Sequence, residues 1–195
     1  VEKIVRNALE ESLRVKEDFV RENISELMFL ARRVVMALTR DRKLLLCGNG
    51  GSAADAQHIA AEFVNRYILE RPPLPAIALT TDTSILTSIG NDYSFDEIFS
   101  KQIKAIGVEG DVLLAISTSG KSANVNEAVK ASAHMGIYSF GLTGGDGGQL
   151  AGLVDTAMVV NSHSTPRIQE AHMFAGHMLC QLVDHILFQQ GIEGE

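Results

Sequence analysis

Along the first forty residues, apolar positions return every three to five places. Ile4, Val5, Leu9, Leu13, Phe19 and Val20 form one such series, and Ile24, Leu27, Met28, Ala31, Val34, Val35 and Leu38 form a second. That spacing follows the helical turn and predicts two amphipathic helices over residues 1–40. From Lys43 the rhythm changes. Short apolar runs occur at Leu44–Cys47, Ala76–Leu79, Val112–Ile116, Tyr138–Leu142 and Ala157–Val160, with helical patterns between them. Most are followed by Gly, Ser, Thr or Asp. Strands apolar on both faces and alternating with helices predict an α/β fold with a parallel sheet covered on both sides. The last helix is predicted to start near Pro166, with Thr165 as its cap, and to run to about Phe188. Arg71-Pro72-Pro73 reads as the turn into the second strand. No repeat, low-complexity tract or linker divides the chain, so residues 1–195 are expected to form one domain, with 41–195 as its α/β core.

Composition narrows the function classes. With 46% hydrophobic and 21% charged residues the chain reads as globular. A net charge of −7 argues against broad binding to nucleic acid or to an anionic membrane. An anionic small substrate stays open, because a pocket's local field need not follow the total charge. The two cysteines, Cys47 and Cys180, sit in apolar runs and read as core residues in a reducing compartment. Val1–Glu22 mixes charged with apolar residues and does not read as a signal peptide. No stretch approaches the roughly 20 apolar residues that span a bilayer. A soluble cytoplasmic protein is expected.

Ligands of such sheets bind beyond the carboxyl ends of the strands, and two loops there carry candidate chemistry. The first, Gly48–Ser52 in "CGNGGSAADAQHIAAEF", fits a relaxed dinucleotide fingerprint, with Ala53 in the last place. The acid that should hold a ribose is badly placed, however. Asp82, the nearest candidate, lies 34 residues after Gly48 rather than about 20. A glycine turn serving only close helix–sheet packing is a simpler alternative. The second loop, in "AISTSGKSANV", resembles a P-loop with alanine for its first glycine, in which Lys121 would reach phosphates and Ser122 a magnesium ion. Three successive hydroxyl residues, Ser117, Thr118 and Ser119, suggest instead that side-chain hydroxyls and helix-start amides bind one phosphate directly. A plain capped turn is the bland reading.

His58 and Glu62 lie four apart on the helix that the first loop opens. They are therefore about 40° apart around the axis and about 6 Å along it. A solvated pair is the ordinary outcome of that spacing. Here Ala53, Ala54, Ala56, Ala60 and Ala61 surround the pair, so a second helix can approach, burial is expected and shifted proton affinities with it. The final helix offers Gln169, His172 and His177. His185 reads as a surface residue, and His134 and His163 have no visible partners.

Taken together and in order, "CGNGGSAADAQHIAAEF", "GNDYSF", "GDVLLAISTSGKSANV", "LTGGDGGQLA" and "RIQEAHMFAGHMLCQLVD" closely resemble the phosphoheptose isomerases of the sugar isomerase (SIS) domain family. The Ser-Thr-Ser-Gly loop marks the wider family, and His58, Glu62, Gln169 and His177 carry the specific likeness. The resemblance implies a three-layer doubly wound sandwich with a five-stranded parallel sheet, assembled as a homotetramer with sites at subunit contacts. It implies conversion of sedoheptulose 7-phosphate to D-glycero-D-manno-heptose 7-phosphate, the first step of bacterial ADP-heptose synthesis. By motif, Ser117, Thr118, Ser119 and Ser122 would hold the phosphate, and Asn49, Gly50 and Gly51 would line the site. Asn91 and Asp92 would bind sugar hydroxyls, and Arg66 and Gln169 would contact substrate. Glu62 would be the general base and His177 its acid–base partner. Zinc would be the one cofactor, bound through His58, Glu62, Gln169 and His177, with no nucleotide or flavin. Lys121 departs from the asparagine frequent in the family.

The chemistry agrees with these residue types. Aldose–ketose interconversion moves a proton between C1 and C2 through an enediol, which a carboxylate can carry. A second group must move protons between the oxygens or polarise the carbonyl; neutral histidine suits the first task and zinc the second. Other readings are a non-catalytic SIS binding protein of the replication-initiator-associating type, an isomerase of another sugar phosphate, and a P-loop hydrolase. An adaptor has no need of Glu62 and His177. The surplus apolar surface of the N-terminal helices favours oligomerisation.

Overall fold

A computed structural model describes residues 1–189. A helix α1, Glu2–Leu38, leads into β1, Leu44–Gly48, and α2, Gly51–Val64. Then follow β2 (Ala76–Ala78), α3 (Thr83–Asp92), a 3₁₀ turn Phe95–Glu97 and α4 (Ser100–Ile106). The second half comprises β3 (Val112–Ser117), α5 (Ala123–His134), β4 (Tyr138–Gly144), α6 (Gly148–Leu153), β5 (Thr156–Val160) and α7 (Thr165–Asp184), ending in a π-helical turn at His185–Gln189.

All five predicted strands form, in the order β2-β1-β3-β4-β5, and every pair is parallel. Strand alternation separates two cores. Leu44, Leu46, Val112, Leu114, Ile116, Phe140 and Leu142 face α1, α2 and α7. Leu45, Cys47, Leu113 and Ala115 face the opposite layer, with Val125, Ala128 and Val129 of α5 and Ile103 of α4. The result is the three-layer doubly wound sandwich. Cys47 and Cys180 are both free and buried, as their apolar surroundings suggested. Among the described residues no helix is long and apolar enough to cross a membrane.

The N-terminal region corrects the reading of two helices: it is one helix of 37 residues. Neither Gly nor Pro occurs before Gly48, so nothing interrupts the backbone hydrogen bonds. Burial begins only at Ser12, and Phe19, Leu27, Leu30, Ala31 and Val34 then pack against the domain. The preceding turns keep Ile4, Val5, Leu9 and Leu13 more than half exposed. Arg167 of α7 ties this segment back through a 3.0 Å bond to the Ala8 carbonyl. At the other end, α7 starts at Thr165 with Ser164 as its flanking cap residue, one place earlier than expected.

Candidate active site

The order of strands reverses between β1 and β3, which pair from Leu44↔Val112 to Gly48↔Ile116. Their following loops therefore diverge over one crevice, the usual ligand position in such sheets. Asn49 and Asn124 lock the two loops together by reciprocal amide hydrogen bonds of 2.8 and 2.9 Å. Asn124 was not singled out from sequence, since an asparagine in a first helical turn reads as ordinary capping.

The hydroxyl loop is fixed by backbone. Gly120 has φ +62°, and a Cβ there would collide with the Gly147 carbonyl oxygen. Leu150 N donates to Gly120 O at 3.0 Å, which holds the start of α6 on the same loop. Ser117 and Ser122 share a 3.1 Å hydrogen bond, so these two hydroxyls face each other. Thr118, Ser119 and Lys121 instead line a cavity of about 310 Å³, whose far wall includes Asp146, Ser162 and His163. His163, without a visible partner in the sequence, thus reaches the site. His172 lies behind this cavity, fully buried, with Nε2 3.1 Å from the Thr143 carbonyl. Burial pushes its imidazole down to about 4, so it is a neutral donor that pins the end of β4.

The second cluster is built by α2 and α7. Gly176 lets the helices meet, because a Cβ there would lie 2.5 Å from Ile59 Cδ1. His58 Nε2 and His177 Nε2 are consequently 3.0 Å apart, the rings edge to face, and Glu62 Oε1 is 3.6 Å from His58 Nε2. Tyr67 stacks on His177 with centroids 5.5 Å apart. At the start of α2, the end of the Gln169 side chain rests on Gly51, where a Cβ would displace it. Against expectation the pair is not buried; the His58 and Glu62 side chains are 47% and 22% exposed. The alanines are divided, with Ala56 and Ala60 buried and Ala54 and Ala61 facing outward.

Burial acts elsewhere. Asp55, one turn before His58, has a buried Oδ2 with no hydrogen-bond partner, and desolvation raises its carboxyl to about 6 against the opposing pull of His58. Arg71 is the other group that sequence missed. Its guanidinium pairs with Asp184 at 2.8 Å, both side chains buried, and donates to the carbonyls of Glu62 and Phe63. It thereby caps α2 and fixes the backbone that carries Glu62. Reading Arg71 as part of a Pro-rich turn hid this, because its partners are distant in sequence.

The remaining expected contacts are not gathered. Arg66 pairs along the chain with Glu70 at 3.3 Å. Asn91 donates to Asp92 at 2.9 Å on an exposed helix end. Among the described residues no hydrogen bond or ion pair joins these three to either cluster. Asp82 does not reach toward a ribose; it caps α3 by accepting from Ile85 N at 2.9 Å. Of the four expected zinc ligands, the two histidines meet and Glu62 is adjacent, while Gln169 lies against Gly51. Among the described residues no three His, Cys, Asp or Glu side chains form a group able to hold a metal ion.

A parallel sheet with a hydroxyl-rich loop at its switch point and a histidine–carboxylate cluster beside it defines a sugar-phosphate isomerase class of site, and a family model for the SIS domain matches residues 9–144. The chain belongs to the SIS domain family. Within it, a phosphoheptose isomerase of Nitratidesulfovibrio vulgaris (strain Hildenborough) is 54% identical over 186 residues, covering 95% of this chain and 89% of that protein. One from Thermodesulfovibrio yellowstonii is 52% identical, covering 97% and 94%. The structure of the phosphoheptose isomerase from Neisseria gonorrhoeae superposes with a TM-score of 0.87 at 46% identity, covering 94% of this chain and 98% of that one. The chain is a member of the phosphoheptose isomerases.

Proposed function

We propose that this protein interconverts sedoheptulose 7-phosphate and D-glycero-D-manno-heptose 7-phosphate, supplying heptose for ADP-heptose synthesis. The observation that carries this is the linkage of two unlike groups at the carboxyl end of the sheet: a hydroxyl loop suited to phosphate, tied through Asn124 and Asn49 to the loop that opens α2, and Glu62 and His58 on that helix with His177 against them. Membership of the phosphoheptose isomerases supports the same substrate.

In this reading Thr118 and Ser119 hold the phosphate, with Ser117 and Ser122 bracing the loop. Asn49, Gly50 and Gly51 border the crevice. Glu62 takes the proton from C1 of the ketose, and the electron pair moves into an enediol. The same carboxylic acid returns the proton to C2, leaving the aldehyde at C1. His177 carries the proton that must pass from O1 to O2, with Tyr67 holding its ring in plane. Glutamine at 169 and the Arg66, Asn91 and Asp92 side chains recognise the sugar in the assembled protein.

Zinc is the proposed cofactor. Ligand nitrogens around a tetrahedral zinc at about 2.0–2.1 Å lie about 3.3 Å from each other. The His58–His177 separation of 3.0 Å is within a few tenths of an ångström of that, and Glu62 Oε1 lies 3.6 Å from His58 Nε2; Gln169, which lies against Gly51, would be the fourth donor. Bound there, zinc would polarise the substrate oxygens. Metal analysis of protein purified without chelator is expected to find zinc; its absence, together with activity indifferent to chelator, removes this part.

The exposed Ile4, Val5, Leu9 and Leu13 support assembly into the homotetramer we propose, because they offer apolar surface for a partner. Residues 1–40 then serve assembly, and sites at subunit contacts would bring in the residues that one chain leaves apart. Sedimentation with parallel assay tests this, and an active monomer contradicts it. A phosphorylated sugar carries charge that keeps it from crossing a membrane, which supports a cytoplasmic reaction. Incubation with sedoheptulose 7-phosphate in deuterated water tests the whole reading. The expected product is the aldose, with deuterium at C2 to the extent that the proton on Glu62 exchanges with solvent before it is returned. Failure to form a heptose aldose overturns it.

A further inference from the structure

The cavity beside the hydroxyl loop poses a charge problem that the assigned residues do not solve. A phosphate monoester carries close to two negative charges near neutral pH. Thr118 and Ser119 offer hydroxyls and amides, which are dipoles without net charge. Across the cavity stands Asp146, whose Oδ1 accepts from Gly148 N at 3.0 Å; it adds a negative charge to the wall. His163 also lines the cavity, where a Cβ added at Gly145 would lie 3.6 Å from its Nδ1. The permanent cation in that lining is Lys121.

Lys121 is available for the task. Its backbone N–H donates to Ser119 Oγ at 3.2 Å, so the residue is held on the same turn as the hydroxyl that faces the cavity. No carboxylate lies within 4.0 Å of its ammonium among the described residues, whereas Lys43, Lys101 and Lys130 are each paired with one. The turn itself cannot drift, because Gly120 is packed on Gly147 and a Cβ at Gly148 would strike Ser119 O at 2.5 Å. A flexible four-carbon stem on a rigid turn suits a point charge that must meet an incoming oxyanion.

Building on the substrate reading above, we infer that Lys121 is a phosphate-binding residue, supplying the positive charge that offsets Asp146 and admits a dianionic phosphate to the hydroxyl loop. It acts on affinity and on the choice of phosphorylated over unphosphorylated sugar, and it takes no part in proton transfer.

The test uses the full-length assembled protein and two variants, Lys121→Gln and Lys121→Arg. Lys121→Gln is expected to raise KM for sedoheptulose 7-phosphate about tenfold with a much smaller fall in kcat, and to weaken binding of inorganic phosphate by calorimetry to a similar degree. The dependence of KM on ionic strength should flatten in the same variant. Lys121→Arg should recover most of the affinity. Unchanged KM and unchanged phosphate binding in Lys121→Gln would overturn the inference, as would a loss confined to kcat. If wild-type protein fails to turn over sedoheptulose 7-phosphate, the substrate reading falls, and the calorimetric comparison still decides the role of Lys121.

Discussion

The hydroxyl loop and the histidine–carboxylate cluster are built differently. The hydroxyl loop is held by its own backbone: a positive-φ glycine, a glycine-on-glycine contact and a 3.0 Å bond from Leu150 leave it little freedom. The histidine–carboxylate cluster is made of side chains on two helices, with His58 half exposed, and its geometry depends on how closely α2 and α7 pack. In the proposed reading the loop would therefore keep its anion-binding shape wherever the sheet is intact. The cluster reaches its working form only when the helices, and in the proposed tetramer the neighbouring chains, are all in place. Binding and chemistry should consequently be separable by mutation.

The largest effect should come from the cluster. Glu62→Gln is expected to lower kcat by about a thousandfold while leaving substrate binding by calorimetry nearly intact, the range typical of a lost general base. His177→Ala should cost about a hundredfold on the same scale. Near-normal turnover in Glu62→Gln would mean that the assigned base is wrong and that loop and cluster do not divide as described.

Next is the loop's scaffold. Gly120→Ala must place a side chain at φ +62° against the Gly147 carbonyl. We expect a loss of about 2–3 kcal/mol in stability and of phosphate binding together, read by denaturant unfolding and calorimetry. Ser119→Ala removes one hydroxyl and leaves the scaffold alone. It should raise KM about tenfold with stability unchanged, as for one hydrogen bond to a charged group. Equal effects of the two substitutions on stability would contradict a loop held by backbone.

The smallest effect concerns pH and the two buried titrating groups, one behind the loop's cavity and one beside the cluster. His172 is depressed to about 4 from 6.5. The unfolded chain therefore binds a proton that the folded chain refuses, and this contribution is complete above pH 6.5 and lost as pH falls toward 4. Its ceiling is on the order of 3 kcal/mol. Asp55 is raised to about 6 from 3.8, so its contribution is complete below 3.8 and lost as pH rises through 6. The two oppose each other over the same window. Thermal melts from pH 6.5 to 4 should show a shallower fall in Tm for His172→Gln than for wild type, and a steeper one for Asp55→Asn. Identical slopes in all three proteins would exclude both roles.

Much of this was legible before any coordinates. The five apolar runs name the five strands, with differences of one or two residues at the ends. The hydroxyl loop is contiguous in sequence, so its chemistry could be read as a motif, and the i, i+4 spacing of His58 and Glu62 was visible for the same reason. Misreadings arose where a partner comes from far along the chain. The single long α1 looked like two helices because two apolar series suggest two packing faces, although no residue breaks the backbone between them. Arg71 looked like part of a turn, and His163 and Asn124 looked idle. The expected burial of His58 was inferred from alanines, and only the helix orientation could say which of those face inward.

What this sequence determines by itself is everything that repeats locally: strand and helix periods, the glycines that permit a tight turn, and the residue types needed for phosphate binding and proton transfer. Tertiary structure alone decided that His58 meets His177 across 119 residues, that Arg71 caps the helix bearing Glu62, and that Lys121 and His163 line one cavity. The physical reason is that periodicity and backbone conformation are set by near neighbours, whereas the distance between two side chains on different helices is fixed only when the sheet and both its covering layers have packed.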